Sequence, residues 1–98
     1  KLAQSVNNQS GNIQSAKALN VETAQLDNQS GQLISSANSQ LNVAQLNNQS
    51  GTIYSKNQLD LAVSGTADNS AGTLAAEQNL NLNAQQLLND AGQMPILR

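Results

Sequence analysis

An all-β fold, a parallel β-helix (solenoid) of about five coils of 20 residues, is predicted by three features of this 98-residue chain. Glycine returns on a ruler, with Gly11, Gly31, Gly51, Gly72 and Gly92 spaced by 20, 20, 21 and 20 residues. The residues around each glycine return with it. Between the glycines, apolar and polar side chains alternate with the period of two that places every second residue of an extended strand on one face. A unit this short closes no core of its own and buries its apolar side by stacking on the next copy.

Each element of the unit has a physical reason. Three positions before every glycine stands asparagine: Asn8, Asn28, Asn48, Asn69 and Asn89. Five before stands an apolar residue, Val6, Leu26, Leu46, Ala67 or Leu87, and two after another, Ile13, Leu33, Ile53, Leu74 or Met94. Four after comes a small or apolar residue, Ser15, Ser35, Ser55, Ala76 or Ile96. An alternating trio follows, centred on Val21, Leu41, Leu61 and Leu82. Twenty extended residues trace about 66 Å at about 3.3 Å each, enough for one three-sided rung with tight corners. Stacked rungs superpose residues of equal phase. The expected core is therefore three columns: Val6, Leu26, Leu46 and Leu87; Ile13, Leu33, Ile53 and Leu74; Val21, Leu41, Leu61 and Leu82. The five asparagines would form a ladder, each amide donating to the next. The glycines would occupy the corner because a positive φ costs glycine little.

Along the chain, residues 1–5 read as the tail of an earlier copy. Ser39 stands where leucine is expected, and a hydroxyl buried there needs an acceptor, since leaving it unpaired costs about 1 to 3 kcal/mol. The single extra residue before Gly72 predicts a bulge near Gly65 and Thr66. Residues 85–98 form a shortened copy in which Pro95 removes a ladder donor. Over residues 75–88 alanine, leucine and glutamine offer a competing helix, but Leu80, Leu82 and Ala84 recur at period two rather than 3.6. Residues 1–98 thus read as one β-helical segment, an excerpt of a longer solenoid.

Composition narrows the function classes. With one aromatic residue, Tyr54, and 38% apolar residues, the chain lacks the bulk that fills an ordinary globular interior. Abundant Asn, Gln and Ser suit either disorder or a narrow core in a polar coat, and the returning aliphatic phase favours the core. Four basic residues and a net charge of −2 argue against phosphate-neutralising contact with nucleic acid. No apolar run is long enough for a membrane span, and a signal for export would lie outside this stretch. Cysteine and histidine are absent, and the carboxylates are scattered over different phases, so no catalytic, metal or cofactor-binding residue is assigned. Asp27 and Asp68 share a phase but stand two rungs, about 10 Å, apart, as on a solvated corner. Lys56 and Glu77 should stack as an exposed ion pair. Tyr54 and Thr52 face outward, where they could touch a partner. The asparagine column could bind a ligand, yet its recurrence at one turn suits geometry better than recognition.

These residues resemble the haemagglutinin repeats of filamentous haemagglutinin-like exoproteins, through LDNQSGQL over residues 26–33, LNNQSGTI over 46–53, LDLAV over 59–63 and LNLNA over 80–84. The resemblance covers essentially the whole chain. It implies a right-handed parallel β-helix within a long bacterial protein that is secreted or held at the cell surface. It also implies export by two-partner secretion through an outer-membrane transporter, as in adhesins and contact-dependent growth inhibition effectors. The role implied is a rigid spacer. The alternative is a face that binds a glycan or a host or target-cell receptor directly.

Overall fold

The computed structural model describes residues 3–90 and 92. Nine β-strands account for most of them: Ala3–Asn7 (β1), Asn12–Ser15 (β2), Leu19–Asp27 (β3), Gln32–Ser35 (β4), Ser39–Asn47 (β5), Thr52–Ser55 (β6), Gln58–Asp68 (β7), Thr73–Ala76 (β8) and Asn79–Leu88 (β9). Odd strands form one sheet in the order β1-β3-β5-β7-β9, and even strands a second in the order β2-β4-β6-β8. Every pairing is parallel. The chain is a β-solenoid of about four turns. Among the described residues there is no helix, and residues 75–88, where helix competed, lie mostly in β8 and β9.

Register follows the glycine ruler. Leu26 pairs with Val6 on one side and Leu46 on the other, and Leu46 continues to Ala67 and Leu87. The second column runs Ile13, Leu33, Ile53, Leu74, and the third Val21, Leu41, Leu61, Leu82. Leu26, Leu33, Leu41, Ile53, Leu59, Leu61 and Leu74 are all at most 2% exposed, each burial contributing about 1.5 to 3 kcal/mol. Val6, Ile13, Val21 and Leu82 pack against this core while remaining partly exposed. Leu87 departs from the expected burial. It holds its register against Ala67, but at 40% exposure it is not core, because β9 is paired on one side only among the described residues. Met94, Pro95 and Ile96 lie outside the described residues.

The long strand supplies two sides of the rung. In β5 both Val43 and Leu46 are buried while Ala44 and Gln45 between them are not; β3 repeats this with Thr23 and Leu26 around Ala24 and Gln25. The inward set changes parity there, which requires a corner within the strand. In β7 that corner absorbs the extra residue. Val43 pairs with Val63 but Leu46 with Ala67, so the bulge falls across Ser64, Gly65 and Thr66. Gly65 is suited to it, since a Cβ there would stand 2.7 Å from the Ala44 carbonyl oxygen. Ser39, standing where leucine was expected, is buried at 2% exposure.

Candidate functional site

The most repetitive chemistry sits at the turn between a long and a short strand. Asn8, Asn28, Asn48 and Asn69 each accept the N–H of the glycine three residues on, at 3.0, 3.0, 3.0 and 2.9 Å, closing a four-residue turn. Its third residue, Ser10, Ser30, Ser50 or Ala71, has φ of 56 to 57°, as in a type II turn. The side chains of the four asparagines point into the core at 6, 0, 0 and 0% exposure. Asn8 Nδ2 donates to Asn28 Oδ1 at 2.7 Å, Asn28 to Asn48 at 2.8 Å, Asn48 to Asn69 at 2.7 Å and Asn69 to Asn89 at 2.9 Å. The second amide hydrogen reaches a backbone carbonyl of the next rung, Gln32, Thr52 or Thr73, at 2.8, 3.1 and 3.1 Å. Both hydrogens of the Asn8, Asn28 and Asn48 amides are thereby spent on the next rung.

The glycines do not serve the turn by positive φ, contrary to expectation: none of them has one. Gly31, Gly51, Gly72 and Gly92 are required by closeness. A Cβ on them would lie 2.1, 2.1, 2.1 and 2.2 Å from the carbonyl oxygen of Asn8, Asn28, Asn48 and Asn69, one rung earlier. On Gly11 it would meet the Oδ1 of Asn8 in its own turn at 2.5 Å. The strained conformation belongs instead to the residue before, at a cost of about 1 to 2 kcal/mol.

Outside the same turn runs a second polar series. Asn7, Asp27, Asn47 and Asp68 each accept, two residues on, the backbone N–H of Gln9, Gln29, Gln49 or Ser70 at 3.0 to 3.2 Å. Gln9 and Gln49 reach across to Asp27 and Asp68 of the following rung. The recurring Asx-Asn pair, followed by glutamine in three copies and serine in the fourth, carried this signal. Burial pushes the Asp68 carboxyl up, but donors from Ser70 Oγ, Gln49 Nε2 and Ser70 N outweigh it and hold the group below its ordinary value. Asp27 and Asp68 flank Asn47 in register, two rungs apart.

On the short sheet, Tyr54 lies outward and half-buried between Ile34 and Ala75. Its hydroxyl donates to the Glu77 carboxylate. That bond, with burial and the Glu77 charge, raises the hydroxyl's pKa above its usual value. The expected ion pair is replaced by this contact: among the described residues, Lys56 and Glu77 sit on adjacent rungs and form none. An open hollow bordered by Glu22, Ala24, Asn42, Ala44, Ala62 and Asn83 presents a single carboxylate. No cluster of three metal-ligating side chains occurs among the described residues.

Comparison with known proteins bears on the repeat itself. The family model described as haemagglutinin repeat matches residues 1–63 and, overlapping, 54–94. No curated protein and no solved structure matches the chain.

Proposed function

The chain belongs to the haemagglutinin-repeat family, and from this premise we propose that it is a rigid structural spacer within a large adhesin-type exoprotein. Such a protein is secreted or carried on the bacterial surface, exported by two-partner secretion through an outer-membrane transporter, and includes adhesins and contact-dependent growth inhibition effectors. Residues 1–98 are an excerpt of its longer solenoid. One observation carries the reading: the most regular side chains, the asparagines, are consumed in joining rung to rung. Stacked at about 4.8 Å per rung and hydrogen-bonded in both sheets, the unit makes length rather than a pocket.

The test is removal of whole copies from the intact exoprotein, such as residues 26–45. Its reach, measured on single particles by electron microscopy, should shorten by about 4.8 Å per deleted copy, with binding by modules elsewhere preserved. Loss of binding after one in-phase deletion would defeat the spacer role. Tyr54 favours a second reading, in which the outer face touches a glycan or a host or target-cell receptor. Under it, Tyr54→Ala with Thr52→Ala abolishes cell binding without changing the thermal midpoint.

A further inference from the structure

Three of the turns contain Asn-Gln-Ser: Asn8-Gln9-Ser10, Asn28-Gln29-Ser30 and Asn48-Gln49-Ser50. Asn-x-Ser is the acceptor pattern for an N-linked sugar, and in a turn it ordinarily marks an accessible surface site. Here each acceptor amide faces inward. Asn28 and Asn48 are 0% exposed and Asn8 6%. Both hydrogens of each amide are engaged, by the next asparagine and by a backbone carbonyl. There is no room beside the nitrogens even for a methyl group: a Cβ on Gly31, Gly51 or Gly72 would lie 3.2, 3.1 or 3.1 Å from the Nδ2 of Asn8, Asn28 or Asn48.

We propose that the three Asn-Gln-Ser turns are N-glycan acceptors in the unfolded chain only, so that sugar attachment and solenoid closure are mutually exclusive fates of the same side chains. In the transfer, the amide nitrogen bonds to the anomeric carbon of a glycosyl diphosphate. The bond from that carbon to the diphosphate oxygen breaks, the diphosphate leaves with the electron pair, and the amide gives up one proton. The product keeps a single N–H where the folded rung requires two, and it carries a sugar ring where the glycine of the next rung must lie. Asn69-Ser70-Ala71 and Asn89-Asp90-Ala91 lack the hydroxyl two residues on, so the same ladder contains positions that are not acceptors. The inference rests on the turn and is independent of the spacer reading.

The experiment incubates two full-length chains with an Asn-x-Ser N-glycosyltransferase and its sugar diphosphate donor, and reads occupancy site by site by mass spectrometry. One chain is folded. The other carries Gly31→Val and Gly51→Val and is checked for lost β-sheet circular dichroism. Sugar is expected on Asn8, Asn28 and Asn48 of the variant, with Asn28 and Asn48 of the folded chain modified at least ~100-fold more slowly, since attack waits on opening. Modification of the folded chain at an equal rate overturns the proposal, and so does an unfolded variant that takes no sugar. A second arm supplies the transferase during synthesis to the natural chain and to the Ser10→Ala, Ser30→Ala, Ser50→Ala variant. Alanine is tolerated at this turn position, as Ala71 has φ 57°. The triple variant should fold while glycosylated natural chain stays protease-sensitive; a glycosylated, protease-resistant solenoid overturns the exclusion.

Discussion

Asparagine holds one corner of every rung and serine another, yet only the serine corner changes occupant along the described chain. Ser35 Oγ donates to the carbonyls of Lys17 at 2.9 Å and Asn38 at 3.3 Å and accepts the Ala37 N–H at 3.1 Å. Ser55 caps Ala37 and Gln58 in the same way. In the next rung the position is Ala76, fully buried. The carbonyl that a serine would have capped there, that of Asn57, keeps the Gln78 backbone N–H at 2.8 Å, just as the Ala37 carbonyl receives the Asn57 N–H at 3.2 Å beside the Ser55 hydroxyl. A hydroxyl that adds to a carbonyl already served by a neighbouring peptide can thus be dispensed with. An amide that accepts from one copy of itself and donates to the next has no such substitute.

The sharpest way to break the asparagine corner is Gly51→Ala. Its φ is ordinary, so the cost is the collision of the new methyl with the Asn28 carbonyl, and chemical denaturation should show a loss of about 3 to 4 kcal/mol. Asn48→Ala strips a donor from Asn69 Oδ1, an acceptor from Asn28 Nδ2 and a hydrogen bond from the Thr73 carbonyl; a loss of about 3 kcal/mol is expected by the same measurement. At the other corner, Ser55→Ala should cost less than about 1 kcal/mol, as the Ala76 rung implies. An equal cost for Ser55→Ala and Asn48→Ala would dissolve the contrast.

The smallest effect sharpens it on the outside of the asparagine turn. Asp68 has a folded pKa below its unfolded value, so its contribution to stability is complete above the unfolded value, near pH 4. It is lost as pH falls through the lower, folded value. Asp68→Asn, which copies Asn47 of the preceding rung, should lose this part of the acid dependence in urea titrations between pH 5 and about 2.

Much of this was legible from one chain because stacking converts periodicity directly into contact. Leu26 against Leu46, the 21-residue step and its bulge at Gly65 all follow from counting. What escaped counting depended on the third dimension within a rung. Glycine is needed for the carbonyl of the rung beneath, a neighbour 23 or 24 residues away in sequence, while the positive φ falls on Ser30 or Ala71. Glu77 was expected to meet Lys56 by phase alone, but the hydroxyl of Tyr54, from two positions earlier on the preceding rung, reaches its carboxylate. The exposure of Leu87 shows that phase fixes direction, and a neighbour on each side fixes burial.

All four amide links described above are oriented alike, from lower-numbered to higher-numbered asparagine. A cleavage plane passed between any two of these layers would therefore expose oxygen lone pairs on one surface and N–H groups on the other. Unlike surfaces can rejoin and like surfaces cannot, so the solenoid carries an arrow along its axis, written in side chains as well as in the direction of the backbone.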